Sequence, residues 1–240
     1  MYAEIGTDGG ALLYSFDPPG LVARGDSLTA ALAGATAGHA ELCDIEGSAV
    51  PDGRVEPDHK SHPSGFNFVV AEEYRRRGKV ANGNTSATFK PDLVPLSRAE
   101  VDHYLKLLAE SRRRLLLLRP LIDDAPDPAA RLDFHPAPKR MSIRRQLQHI
   151  ASCERWYLTK VWPGLGRLAR APDVWARLAT VRDLVVRTFQ AQPEASLALV
   201  REVNGEVWTP RKVVRRLMYH EKFHRDTLGR DLRGAFEGGG

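Results

Sequence analysis

The chain has 240 residues, 42% of them hydrophobic, and carries 35 Lys and Arg against 30 Asp and Glu for a formal charge of +5. This is enough chain for two domains of ordinary size, and the two cysteines exclude a disulfide-stapled scaffold. No apolar run is long enough to span a bilayer, and Met1-Tyr2-Ala3-Glu4 leads straight into acidic, glycine-rich sequence, so a soluble, cytoplasmic protein is expected.

Ala11-Leu12-Leu13-Tyr14-Ser15-Phe16 reads as a strand stopped by Asp17-Pro18-Pro19-Gly20, and Leu21-Val22-Ala23-Arg24 as a second strand stopped by Gly25-Asp26. Ser27 then caps an alanine-rich helix with Leu28, Ala31, Leu32 and Ala35 on one face. Val50 to Gly65 is rich in Pro, Gly and charge and reads as a loop holding His59 and His62, with Phe66-Asn67-Phe68-Val69-Val70 a later strand. The stretch S-F-D-P-P-G-L-V-A-R-G-D-S-L-T-A-A-L-A-G-A, Ser15 to Ala35, resembles HicB-like domains, the small β-β-β-α-β units known from antitoxins. The resemblance covers about residues 1–75. An antitoxin carries a DNA-binding element after this unit, whereas helical sequence follows here, so a packing or dimerisation module is the expectation. Asn82-Gly83-Asn84 through Pro91 and Pro95 reads as an interdomain linker, which puts the first domain, with its loop and linker, at residues 1–90 and the second at 91–240.

The second part is helical in pattern. Ser97-Arg98-Ala99-Glu100 is a capping box opening a helix toward Leu118, stopped at Pro120. A second helix runs from about Ser142 to Trp162, and a third from Pro172 through Trp175, Leu178, Val181, Leu184 and Val185 toward Phe189. Pro193 breaks it, and Leu197 to Val203 forms a further short piece. A fourth helix opens at Trp208-Thr209-Pro210, with Thr209 as N-cap and Pro210 at the first helical position. The predicted architecture is therefore α+β with two domains, a small β-β-β-α-β unit followed by an all-α four-helix bundle. Charge divides the same way: residues 1–90 hold 8 Lys and Arg against 12 Asp and Glu (−4), and residues 91–240 hold 27 against 18 (+9). Runs such as Arg112-Arg113-Arg114 read as solvated helix faces; with no nucleic-acid motif beside them, nucleic-acid binding is the weaker reading.

Chemistry concentrates in the fourth helix. Val213, Leu217, His220, His224 and Leu228 form its inward stripe, while Arg211, Lys212, Arg215, Arg216 and Arg225 are expected on the polar face. Two imidazoles four residues apart stack on one face at metal-ligand spacing. His220-Glu221-x-x-His224 also matches the zinc-protease string H-E-x-x-H, but downstream acids are limited to Asp226, Asp231 and Glu237 in a fading tail. A third ligand must come from upstream. Of His39, His59, His62, His103, His135 and His149, His59 and His62 lie in a Pro/Gly/Asp-rich loop and His135 sits between Phe134 and Pro136 in another, whereas His149 lies on a helix that can face the fourth one, within S-I-R-R-Q-L-Q-H-I-A-S-C-E-R-W-Y-L. Gln146, His149, Cys153 and Trp156 share an edge of that helix.

Q-L-Q-H-I-A-S-C-E-R-W-Y-L (Gln146 to Leu158) and W-T-P-R-K-V-V-R-R-L-M-Y-H-E-K-F-H-R-D-T-L (Trp208 to Leu228) resemble the DinB-like superfamily over about residues 97–232. The resemblance implies a four-helix bundle with a divalent metal, commonly zinc or nickel, held by His149, His220 and His224. Characterised relatives include transferases and isomerases that use a low-molecular-weight thiol, and relatives are often dimers. Three imidazoles by themselves suit zinc, nickel, copper or iron. The functional expectation is a metal-dependent enzyme, a thiol transferase or a hydrolase, that activates water or a small thiol for attack on a small electrophile. Glu221 is a candidate catalytic group, or a residue that orients a neighbour or faces solvent; Trp156, Tyr157 and Trp208 are candidate pocket walls or core. If Cys153 turned inward it would close a tetrahedral structural zinc site. The alternatives are a non-catalytic, zinc-stabilised regulatory or interaction protein and a zinc hydrolase of the H-E-x-x-H type.

Overall fold

The computed structural model describes residues 1–48, 68–80, 85–166, 168 and 170–237. His59, His62, Phe66, Asn67, the Val50–Gly65 loop, Asn82–Asn84 and Gly238–Gly240 lie outside the described residues, as does the side chain of Cys43. The chain forms two compact units, Met1–Leu93 and Val94–Gly240.

In the first unit, strands β1 (Tyr2–Gly6), β2 (Ala11–Phe16), β3 (Pro19–Gly25) and β4 (Glu72–Arg76) form a sheet in the order β3-β2-β1-β4, and helix α1 (Leu28–Ser48) packs along β3. β1 pairs antiparallel with β2 and parallel with β4. Alternation along the strands sends Ala3, Ile5, Ala11, Leu13 and Ala23 to a core shared with Ala31 and Ala35 of α1. On the opposite face, Phe89 gathers the rings of Tyr2, Tyr14 and Phe16. Gly25 is required at the strand-to-helix corner, where a Cβ would clash with the backbone of Ala31.

Two expectations for this unit need correction. The sequence pattern locates only two of the three strands expected before the helix, and the remaining one is β1. Its apolar residues are only Tyr2, Ala3 and Ile5, too few for a visible period, and β2 and β4 hold it from either side. The later strand is Glu72–Arg76, and Phe68–Val70 precede it as irregular chain; β4 is an exposed edge strand whose place comes from backbone pairing with β1, which no hydrophobic pattern announces. The described part of the supposed linker is packed structure. Phe89 and Asp92 are fully buried, and the Asp92 carboxylate accepts from the Phe89 backbone N–H at 3.0 Å in a 3-10 turn over Lys90–Leu93.

In the second unit, four long helices carry the structure: α2 (Arg98–Leu116), α5 (Ile143–Val161), α6 (Val174–Ala191) and α8 (Pro210–Glu237). Three short helices, α3 (Pro120–Asp123), α4 (Pro128–Asp133) and α7 (Glu194–Leu197), lie in the connections. The starts follow cap chemistry: Ser97 and Glu100 make the reciprocal capping box, Ser142 and Asp173 cap α5 and α6, and Thr209 Oγ1 accepts from Lys212 N at 3.0 Å. α5 packs on α6 and α8, and α2 on α8 and α6. One core runs through Leu115, Leu147, Ile150, Leu178, Val181, Leu228 and Leu232.

The short piece expected over Leu197–Val203 divides differently. α7 ends at Leu197, and β5 (Arg201–Val203) and β6 (Glu206–Trp208) form an antiparallel hairpin. Asn204 (φ 56°) and Gly205 (φ 76°) both adopt left-handed backbone, the two-residue turn that Asn-Gly encodes. The reading of the arginine positions as solvated fails at several sites: Arg112, Arg211, Lys212, Arg215 and Arg216 are buried. Arg211 reaches the carbonyls of Val94 and Pro95 and the carboxylate of Glu100, and Lys212 Nζ lies 2.8 Å from both the Val207 carbonyl and Glu206. A long side chain that finds oxygen acceptors can go inside with its charge intact. Among the described residues, no helix is long and apolar enough to cross a membrane.

Candidate metal centre

Helices α5 and α8 meet along a ladder whose positions rise on one helix as they fall on the other. Gln146 Nε2 donates to Asp231 at 3.0 Å, His149 faces His220 and His224, and Tyr157 lies under the guanidinium of Arg216, 4.9 Å from Cζ to the ring centre. The histidines occupy the middle rung. His149 Nε2 is 3.2 Å from His220 Nε2, and the three ring centres are 4.5–5.0 Å apart. One nitrogen from each ring falls within 4.8 Å of the others.

The three rings differ in setting. His220 and His224 are buried, whereas His149 is half-buried. Burial lowers the pKa of His149. It lowers that of His220 well below the ordinary value, with the nearby His224, His149 and Arg216 adding to the effect. Both rings therefore favour the neutral form, the form that offers a lone pair. Nδ1 of His220 is buried and finds no hydrogen-bond partner among the described residues. Cys153 Sγ sits 3.6 Å from Nδ1 and 3.5 Å from Nε2 of His149, nearly equidistant from the two ring nitrogens, and it is not part of the three-ligand group. Burial pushes its thiol up to about 11, so a neutral S–H is the resting form.

A second constellation lies directly beside the histidines. Glu221 follows His220 in α8 and is fully buried. Its Oε2 accepts from Arg112 Nε at 2.9 Å and Arg182 Nη2 at 2.7 Å. Glu154 of α5 accepts from the same two arginines, at 2.5 Å from Arg112 Nη2 and 2.7 Å from Arg182 Nη2. Burial alone would raise the Glu221 pKa, but the charges of Arg182 and Arg112 hold it below the usual carboxylate range. Arg112 also donates to the Leu178 carbonyl of α6 at 2.7 Å, and Arg182 donates to the Leu108 carbonyl of α2. Two guanidiniums and two carboxylates, one from each long helix, thus alternate in a closed square.

A family model described as the DinB superfamily matches residues 107–228, just over half of the chain, including His149, His220 and His224. The chain belongs to the DinB superfamily. No curated protein and no solved structure gives a significant match. The family match does not extend to the first unit.

Within this DinB superfamily chain, the structure gathers His149, His220 and His224 and leaves other sequence candidates elsewhere. His135 Nδ1 donates to the Arg140 carbonyl on an exposed loop. Asp226 is exposed and paired with Lys222 and Arg225, and Asp231 is taken by Gln146 and Arg140. Of the aromatic candidates, Tyr157 stands edge-on to His220 at 5.7 Å between ring centres, stacked on Trp208, while Trp156 is 45% exposed. Glu221 does not face solvent. Sequence reasoning missed Arg112, Glu154 and Arg182, although a signal was present: each stands four residues from a core leucine or isoleucine (Leu108, Ile150, Leu178) on its own helix's inward stripe.

Proposed function

We propose that His149, His220 and His224 hold a divalent metal ion, zinc or nickel, within a four-helix bundle of the DinB type, and that the centre serves a small-molecule reaction. The carrying observation is the convergence of the three imidazoles. Ligands of a tetrahedral ion with bonds of about 2.0–2.1 Å stand about 3.3–3.4 Å apart, and the His149–His220 nitrogen separation of 3.2 Å agrees. Ring neutrality and a buried, polar-lined position fit the same donor set. An ion held there would supply acidity, bringing a water or a low-molecular-weight thiol to its nucleophilic form near neutral pH for attack on a small electrophile.

The protein's own groups then have distinct tasks. Half-buried His149 marks the side open to solvent, while Tyr157, edge-on to His220, and Trp208, stacked on Tyr157, form a wall onto which the exposed Trp156 packs. Glu221 is already engaged by two guanidiniums, which disfavours the H-E-x-x-H hydrolase reading, in which that glutamate must be free to move a proton. With three protein ligands rather than four, a position remains for water or substrate; a closed site would favour the non-catalytic, regulatory alternative. In the first unit, the element order β-β-β-α-β supports a HicB-like module for packing, including dimerisation. Elemental analysis tests the reading: the purified protein should carry one metal per chain, and His149→Ala and His220→Ala should each lose it while remaining helical. Equal metal content in all three proteins would remove the proposal. Turnover of a small thiol with an electrophile, tested on the loaded protein, then separates enzyme from structural module.

A further inference from the structure

We infer that the square of Arg112, Glu154, Arg182 and Glu221 is a register lock that sets the two ligand-bearing helices against each other, making these four the positioning residues of the histidine centre. The inference rests on the metal-site reading above and names what holds that site in shape.

The argument begins with which helix brings which charge. α5 and α8, the helices that carry the histidines, each contribute a carboxylate, and α2 and α6 each contribute a guanidinium. Alone, the two ligand helices would bring Glu154 and Glu221 together as like charges in a dry interior, where repulsion is least screened. They approach only because Arg112 Nη2 stands 2.5 Å from Glu154 and 2.7 Å from Glu221, and Arg182 Nη2 stands 2.7 Å from each. The arginines are fixed in turn by donating to the Leu178 and Leu108 carbonyls, each on the other arginine's helix. All four residues are buried, and the two carboxylates almost completely, so a displaced carboxylate has little water to fall back on.

Position along the helix matters as much as charge. Glu221 adjoins His220, a rise of about 1.5 Å, and Glu154 lies five residues past His149, about 7.5 Å along α5. Apolar ridges of Leu, Ile and Val accept neighbouring registers with modest loss. A slip of one turn between α5 and α8, about 5.4 Å, would part His149 from His220 and at the same time strand the buried carboxylates. Stability alone is a poor reason for the square, because buried ion networks replaced by well-packed apolar groups are often at least as stable. Their attested use is to specify one arrangement among several.

The test is the apolar replacement R112M/E154L/R182M/E221L, compared with wild type and with Ile122→Ala, a core truncation in the same unit. Zinc affinity is read by chelator competition, and site geometry by the visible bands of the cobalt(II)-loaded protein. The quadruple variant is expected to keep its helical circular dichroism but to bind zinc tenfold or more weakly, within the roughly 10–100-fold range of groups that orient metal ligands. Its cobalt spectrum should lose intensity, whereas Ile122→Ala keeps both values. Unchanged affinity and spectrum in the quadruple variant would overturn the inference and leave the metal reading intact. Failure of wild type to bind zinc or cobalt would overturn the metal reading first. Should the quadruple variant not fold, Arg112→Lys carries the test, since it keeps the charge but loses the fork that spans both carboxylates. A fivefold loss of zinc affinity then supports the lock, and wild-type affinity refutes it.

Discussion

Removing one corner of the charge square should cost more than removing a facing pair. Arg182→Met deletes the ion pairs to Glu154 and Glu221 and the hydrogen bond to the Leu108 carbonyl, leaving two buried carboxylates to share Arg112. Breaking a buried pair in this way costs about 3–5 kcal/mol. At about 2–4 °C per kcal/mol for a unit of this size, the melting temperature should fall by roughly 6–20 °C. R182M/E154L leaves one guanidinium, Arg112, with one carboxylate, Glu221, at 2.9 Å. The double variant should therefore be more stable than R182M alone, with a coupling of roughly 0.5–3 kcal/mol. Urea denaturation followed by circular dichroism measures both, with chelator present so that metal linkage does not enter. If R182M lies within about 0.5 kcal/mol of wild type, the range of ordinary surface changes, the four charges do not form a dry, closed set.

Other expectations concern the histidines, the thiol and the hairpin. His149 and His220 have pKa values lowered by burial, so below about pH 6.5 the unfolded chain binds more protons than the folded one. Metal-free protein should accordingly lose stability as pH falls from about 7 toward 5; a urea midpoint equal at pH 7.5 and 5.5 would contradict this, and His220→Gln should flatten the slope. Cys153→Ser should leave zinc affinity within about twofold, since the sulfur lies beside the His149 ring rather than among the converging nitrogens; a large loss would make Cys153 a ligand. Gly205→Ala puts a Cβ on left-handed backbone and should lower stability by about 1–2 kcal/mol in the same denaturation assay.

The parts of the fold written in local chemistry were legible. Ser97 with Glu100, Ser142 and Thr209 begin helices where their side chains predict, and the apolar stripes of α5, α6 and α8 face the core. The gathering of His149 with His220 and His224 followed because one helix face carried two rings and one other helix carried the third. What stayed hidden depends on partners distant in sequence. β4 owes its place to the backbone of β1, across an interval of about seventy residues. Arg112 stands in a run of arginines that looks solvated, and only Glu154 and Glu221, 42 and 109 residues away, give it a reason to be inside. The Asn204-Gly205 turn was local and readable; it was overlooked because three-residue strands give no period to count.

The square of charges also constrains how this sequence can drift over generations. One substitution strands a charge, whereas two of opposite sign do not, so positions 112, 154, 182 and 221 can change safely only in opposite-signed couples. A descendant that has lost an arginine at one corner is expected to have shed a glutamate at another. The trace of that history would be four columns, scattered through the helical half of the chain, changing in step.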